Sequence, residues 1–441
     1  MSTQPLVWWH LSDLHWDVQT STERRTFLDV FYDDLRQRRK ELGPPDFVVL
    51  SGDITFSGDE AQYLAAEKEF LTPVAEIAGN NCPFFFVPGN HDLRRTTART
   101  VNTQLIASLN STRSLDEFLD ERDYVDMVQK PFSSYHGFAA RMMPTSTPTA
   151  SGWWTKLHHH GRTILIVGVN SSWASSYHKD HNGLIVDERH LLVGSQQILP
   201  LIEHAKQADL SLVITHHPLK WLNGFSEAPL RQHLQRHADF VLFGHTHDLH
   251  DILQTIGPTG ATVFLPAPAI YDRAPTDTVQ YARGYNVVTF DLETKQGAAH
   301  YFKYSDAYAT KFDVFSELYA VSGQNFFPID LSHAPSRQAA DIEHRFQSLE
   351  EVLDAFSDLH ALSNFIEACL DTSALERHAV EYFERIIMDL VRESEIIDQD
   401  AEHIFWECVV LTRGVLFLRF GAAQYLWIEA LSLSSIGGRS V

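Results

Sequence analysis

Of the 24 histidines in this 441-residue chain, six fall in five short motifs that also carry carboxylates and an amide: Asp13-Leu14-His15, Gly52-Asp53, Gly89-Asn90-His91-Asp92, Thr215-His216-His217-Pro218 and Gly244-His245-Thr246-His247. Those side chains together suit divalent cations. Imidazole favours Zn, Fe, Ni and Cu; carboxylate and amide oxygens favour Mn and Mg. In D-x-H or H-x-H written as strand, both side chains leave the same face, because the side-chain period is two. Each pair then addresses one region of space. The Asp53 carboxylate has two oxygens and can bridge two ions. Small Gly residues before Asp53, Asn90 and His245 let the backbone turn sharply beside a cation.

Each motif directly follows an apolar β-rich run: VWWHLS, FVVLS, FFFVP, LVI and FVLF, respectively. The pattern predicts buried strands at Leu6–Leu11, Phe47–Leu50, Pro83–Val87, Thr163–Val169, Leu210–Thr215 and Phe240–Phe243. Amphipathic helices are predicted at Thr22–Glu41 and Glu60–Ile77. That alternation argues for an α/β core, in which functional residues gather beyond the carboxyl ends of the strands. Thr262–Leu265, Tyr285–Asp291 and Ala298–Tyr304 read as closing strands of a second sheet, or its edge. Arg141–Gly152 and Tyr271–Gly284 read as loops.

The ordered set D-x-H, G-D, G-N-H-D, H-x-P and G-H-x-H resembles the signature of the calcineurin-like metallophosphoesterase superfamily. All five blocks occur in order over residues 13–247, and the resemblance covers about residues 1–305. It implies a four-layer αββα sandwich. It also implies two divalent metal ions, with Mn favoured over Fe, Zn or Ni. Asp13, His15 and His247 would hold one ion, Asn90, His216 and His245 the other, and Asp53 would bridge. His91 would face the substrate phosphate and assist the leaving oxygen, with Asp92 orienting it. The reaction implied is in-line attack on phosphorus by a hydroxide bridging two metals about 3.5–4 Å apart.

Neighbouring residues read differently. His217 reads as packing or hydrogen bonding near the site. His158-His159-His160 has no carboxylate partner in the sequence and reads as an exposed strand end. Arg94 and Arg95 suit either a groove that takes further phosphates or a solvated helix face, and Arg99 a solvated face. Asp17 lies four residues after Asp13 and suits either the site or a loop. Trp153, Trp154 and Trp173 read as core rather than as base-stacking residues.

The net charge is −22, a field that repels nucleic acid and anionic membranes at long range, though bound metal ions can dominate a pocket. Leu331 to Val441 carries 8 Arg, no Lys and 19 Asp and Glu, a net of −11. This asymmetry, and the helical pattern with no Pro beyond Pro335, divide the chain into a catalytic region at 1–330 and an acidic α-helical region at 331–441. The stripe Phe346, Leu349, Val352 and Phe356 and the stripe Phe383, Ile386, Ile387 and Leu390 suit a small bundle, used for its own core, for self-association or for a protein partner. Three scattered cysteines, Cys82, Cys369 and Cys408, suit a reducing compartment. The N-terminus lacks a leader pattern, and the apolar stretch Ile404–Ile436 is broken by charges. A cytoplasmic location is the expectation.

The expected function is therefore metal-dependent phosphoester hydrolysis, on a phosphodiester in a nucleotide or nucleic acid. The alternatives are a phosphomonoesterase, including a protein phosphatase, and a partner-regulated effector recruited through its C-terminal helices.

Overall fold

The structure, a computed structural model, describes residues 4–18, 22–94, 106–143, 145–149, 151–177, 186–246, 252–257, 260–271, 283–305, 311–315 and 325–332. His247, Arg95, Arg99, Cys369, Cys408 and the C-terminal stripes lie outside the described residues. The chain divides into two compact units, Met1–Thr255 with Ala261–Ala334, and Ile256–Gly260 with Pro335–Val441. All the described candidate ligands belong to the first.

Three parallel strands open the chain: β1 (Leu6–Leu11), β2 (Phe47–Leu50) and β3 (Phe84–Phe86). The next seven form a second sheet: β4 (Thr147–Pro148), β5 (Gly152–His159), β6 (Arg162–Val169), β7 (Leu210–Ile214), β8 (Phe240–Phe243), β9 (Leu253–Gly257) and β10 (Gly260–Pro266). Its order is β4-β5-β6-β7-β8-β10-β9, and β6, β7, β8 and β10 run parallel. The chain then returns to the first sheet with β11 (Gly284–Asp291), β12 (Gln296–Ser305), β13 (Lys311–Val314) and β14 (Phe327–Asp330). That sheet has the order β13-β12-β11-β1-β2-β3, with β14 also paired to β12.

The expected closing strands therefore separate. The one around Thr262–Leu265 joins the second sheet. The other two cross back and pair antiparallel beside β1, in the register Trp8↔Val288 and His10↔Asn286. No local pattern reveals this, because Tyr285–Val288 is buried without alternation, so the run does not mark which sheet it joins.

Aromatic residues join the sheets. Trp8 stacks on Phe47 at 5.6 Å and meets the edge of Phe240 at 5.2 Å; Phe290 also meets Phe240 at 5.2 Å. In the second sheet the alternation is plain. Ile164, Ile166, Leu212 and Ile214 face this shared core, and Leu165, Val167, Val213 and Val241 face a separate outer one.

Helices cover both outer faces, which completes four layers. On the first sheet lie α1 (Thr22–Leu42), α2 (Glu60–Ala66) and α3 (Thr72–Ala78); the last two, expected as one helix, are joined by a π turn over Glu67–Leu71. Phe31 of α1 stacks on Phe70 and meets Tyr285 edge-on. Three helices unforeseen in the sequence follow: α4 (Thr112–Asp120), α5 (Arg122–Gln129) and α6 (Ser133–Met142). Phe138 of α6 packs on Tyr63 and Phe86. On the second sheet, α7 (Leu199–His204) and α8 (Gly224–His237) bury Leu201, Leu230 and Leu234. No helix of the described residues is long and apolar enough to cross a membrane.

Phe240 touches aromatic side chains of two strands in the opposite sheet, so removing its ring leaves a void that neither sheet can close. Phe240→Ala is expected to lower unfolding free energy by about 3–5 kcal/mol, read from urea denaturation.

Candidate metal centre

The site begins in the main chain. Beyond β1 and β2 the ladder continues through the loops: Asp13 N–H donates to Gly52 O (3.1 Å), His15 N–H to Asp53 O (2.9 Å) and Trp16 N–H to Ile54 O (2.9 Å). The two motifs are thereby locked side by side. They are not strands. Asp13, His15, Asp53 and His245 have φ of 53°, 45°, 51° and 70°, the left-handed region. Asp and His are among the non-Gly types that tolerate it best. Side-chain alternation therefore does not explain the D-x-H pairing; two left-handed residues around the buried Leu14 do. Each such residue costs roughly 1–3 kcal/mol and persists only where its surroundings hold it.

Glycine acts here in two ways. Gly52 does turn sharply, with φ of 103°. Gly89 and Gly244 serve close approach instead: a Cβ on Gly89 would lie 2.0 Å from Asp53 Oδ1, and one on Gly244 would lie 1.9 Å from Ser12 Oγ and 2.6 Å from Asp13 Oδ2.

These loops bring together every expected ligand that is described. His15 Nε2 lies 3.7 Å from Asp13 Oδ1 and 3.8 Å from Asp53 Oδ2. His216 Nε2 lies 3.4 Å from Asp53 Oδ2, 3.2 Å from Asn90 Oδ1 and 3.2 Å from His245 Nδ1. One ring nitrogen cannot satisfy three such neighbours with one proton. Donors around a small divalent cation with ~2.0–2.2 Å bonds sit about 3–3.5 Å apart, so the set fits a metal. Its carboxylate, amide and imidazole chemistry fits as well. Burial alone would raise the Asp53 carboxyl, but His216, with His15 and His91 beyond it, overrides this and holds it well below the usual range. Burial alone would lower His216; Asp53 reverses that and takes it to about 9. The cluster thus holds its carboxylate ionised, as a cation ligand must be.

A supporting layer orients these donors. His216 Nδ1–H donates to Ser51 O at 2.8 Å, which turns Nε2 toward Asp53. His10, fully buried, pairs with Ser51 Oγ at 3.0 Å; burial pushes it down to about 3, against the opposing pull of Asp13. Arg24, from the first turns of α1, donates to the carbonyls of Leu14 (3.2 Å) and His15 (3.0 Å) and lies over the Trp16 and Tyr271 rings. Arg24 carries no motif signal. It sits in an amphipathic helix at a position where an arginine reads as solvated.

His91 and Asp92 separate in role. The His91 main-chain N–H donates to Asp53 Oδ1 at 2.8 Å, and its ring Nδ1–H to Phe56 O at 2.9 Å. Its ring stands edge-on to His15 at 4.6 Å. The Asp92 carboxylate does not reach that ring. It accepts from Gly89 N, Ile54 N, Thr55 N, Thr55 Oγ1 and Tyr63 OH. Asp92 therefore ties the G-N-H-D loop to the G-D loop, and Phe56 O orients His91.

Other neighbours differ from the sequence reading. His159 has a carboxylate partner after all, Asp46 at 3.0 Å, supplied by the loop before β2. Arg94 Nη2 lies 4.0 Å from Asp59, the N-cap of α2. Asp17 Oδ1 accepts from Val18 N at 2.7 Å. Trp153 and Trp173 are buried core residues. Beyond β6, the polar run Asn170-Ser171-Ser172 is buried, with Ser171 against His217. This sixth strand end carries no histidine or carboxylate, so the sequence does not mark it.

The anchoring role of Asp92 makes a clear prediction. Asp92→Asn turns an amide N–H₂ toward donors that need an acceptor, so stability should fall by about 3–5 kcal/mol, measured by denaturant unfolding. Gly224→Ala, where a Cβ meets nothing within 4 Å, should stay within about 0.5 kcal/mol.

A family model described as calcineurin-like phosphoesterase matches residues 7–249. The uncharacterized metallophosphoesterase-like protein YydB of Bacillus subtilis is 28% identical over 253 residues, covering 54% of this chain and 48% of its own. The chain thus spans about half the length of that relative. Among solved structures, Vps29 of Cryptosporidium parvum aligns at 10% identity over 74% of this chain and 99% of its own, with a TM-score of 0.32. A variant of Vps29 from Entamoeba histolytica aligns at 9% identity over the same shares, with a TM-score of 0.30. The family match takes in all five motifs, from the strand before Asp13 to His247, and on it the chain belongs to the calcineurin-like phosphoesterase family.

Proposed function

We propose that this chain is a dinuclear-metal phosphodiesterase that hydrolyses a nucleotide or nucleic acid. The family makes it a metal-dependent phosphoester hydrolase in general; the finer reading rests chiefly on Asp53. A single carboxylate oxygen, Oδ2, faces His15 Nε2 at 3.8 Å and His216 Nε2 at 3.4 Å, on opposite loops. That arrangement supports a bridging ligand between two ions. Asp13, His15 and His247 would complete one ion's ligands, and Asn90, His216 and His245 the other's. Mn is favoured by the carboxylate and amide share of the set.

Two divalent ions there would supply Lewis acidity, activating water near neutral pH and offsetting charge on the phosphate. The chain's own residues do the rest. His91, with Nδ1–H held on Phe56 O, would in its cationic form offer Nε2–H to the leaving oxygen, giving up that proton as the bond to phosphorus breaks. Among the described residues, Arg24 is committed to the Leu14 and His15 carbonyls, and the half-exposed Arg94 stands 4.0 Å from Asp59. A diester, with one negative charge, asks less of such a site than the dianion of a monoester. We place residues 331–441 as a separate acidic helical region serving a protein partner or self-association, and the protein in the cytoplasm.

The deciding experiment is turnover by Mn-loaded protein on bis-p-nitrophenyl phosphate, p-nitrophenyl phosphate, cyclic nucleotides, and single- and double-stranded DNA. Diester hydrolysis, lost with EDTA and restored by Mn, is expected; turnover of monoesters alone would replace the reading with a phosphomonoesterase. Asp53→Ala should lower bound metal from two ions toward one or none by elemental analysis, with loss of activity. His91→Ala should keep both ions and lower kcat by roughly 10²–10⁴, with a smaller loss on p-nitrophenyl esters, whose leaving group needs little protonation. A chain ending at Asp330 should stay soluble and keep small-diester turnover; insoluble protein would make the helices part of the catalytic core.

A further inference from the structure

Phe56 is the one exposed phenylalanine among the described residues, at 45%. Single exposed apolar side chains are ordinary, so exposure alone carries nothing. Its place does. The Phe56 ring centroid lies 5.5 Å from that of His91, tilted by 45°, and His91 stands edge-on to His15 at 4.6 Å. The three rings run from the protein surface to the donor cluster. Asp13, Asp53 and His216 are buried, and the cluster meets solvent through the part-exposed His15, Asn90, His91 and His245. Phe56 is therefore at the rim of the site, where a substrate must enter.

The backbone under that ring is pinned. Phe56 N–H donates to Trp16 O at 3.0 Å, and Phe56 O accepts from His91 Nδ1–H at 2.9 Å. Next along, Ser57 N–H donates to Gln62 Oε1 at 3.0 Å and Gly58 N–H to Thr55 Oγ1 at 3.1 Å. Gly58 has φ of 68°, and a Cβ there would lie 2.5 Å from Asp92 O. The loop is thus seated directly on the Asp92 turn. An aromatic ring carried on so fixed a backbone loses little freedom when a ligand covers it.

We infer that Phe56 is a substrate-binding residue whose ring stacks on the base of the nucleoside that departs with the oxygen served by His91. The assignment rests on the phosphodiesterase reading above and narrows it: the leaving group is a nucleoside. A phosphate on the cluster with its leaving oxygen at His91 carries the rest of that group outward past His91, beside which Phe56 stands. An aliphatic leaving group there would gain only buried area; a base gains area and stacking. Every base has a π face, so such a platform holds a nucleoside without reading which base it is.

The test uses the full chain loaded with Mn and two probes read by calorimetry. One is the adenosine phosphonate in which methylene replaces the ester oxygen of AMP, so that it is not cleaved. The other is methylphosphonate, which has no base. The unsubstituted protein should bind the adenosine probe more tightly. Phe56→Ala should weaken that probe about 10- to 100-fold, with methylphosphonate affinity and metal content unchanged. Phe56→Trp, which keeps an aromatic face, should retain the affinity. On a dinucleotide, Phe56→Ala should raise KM about 10-fold and leave kcat within about 2-fold. Equal binding of the two probes by the unsubstituted protein overturns the inference. So does an adenosine probe that Phe56→Ala binds as well as before. Parallel weakening of both probes, or loss of a metal ion, would make Phe56 a support of the loop and overturn it too. If the unsubstituted protein turns over no phosphoester, the proposed function fails, while the paired binding measurements still decide the role of Phe56.

Discussion

Two carboxylates, Asp13 and Asp53, stand together where water hardly reaches, each about 1% exposed. Carboxylate oxygens of the two lie within 4.8 Å of one another; like charges that close repel strongly in a poor dielectric, and a protein without compensation would protonate one or move them apart. Here neither escape is open. The loops that bear them are laced by main-chain hydrogen bonds, and Gly52, Gly89 and Gly244 leave no slack around them. Positive charge must answer them, from a cation or from His216. The surrounding strands, glycines and carbonyl contacts keep that demand in place.

The same constraint explains where strain is tolerated. Four of the candidate ligands sit at positive φ, a cost that an isolated loop would relax. Arg24 under the Asp13–His15 turn and Asp92 between the G-D and G-N-H-D loops hold the unfavourable backbone from below. Neither needs to touch a substrate to matter. Both convert packing stability from the α1 and α2 side of the sandwich into geometry at the site.

Much of this was legible in the residues. The strands before Asp13, Asp53 and His245 have the bounds the sequence predicts, because runs of four to six apolar residues cut off by polar motifs are too short for helices. The motif order then gave the family. What stayed hidden was long-range. The pairing of β11 with β1 joins residues far apart in sequence, and nothing local marks it. The part of Asp92 could not be seen either, since a carboxylate next to His91 in sequence looks like its orienter. Only the geometry shows it facing the other way, toward Ile54, Thr55 and Tyr63. Ser171 was missed for a simpler reason: serine after a strand is common, and its value comes from His217 across the loop.

The first sheet is completed late. His10 of β1 is paired with Asn286 of β11, 276 residues onward, and the entire second sheet is made in between. A ribosome therefore releases β1, with Trp8 and Trp9 on its two faces, long before its final neighbour exists. Until then β1 has one open edge, the kind of surface that invites pairing with the wrong strand. Closing so long a loop is entropically slow. The chain's birth order thus sets a vulnerable interval, during which the Asp13 and Asp53 loops are already synthesised while the strand that seals their sheet is still being translated.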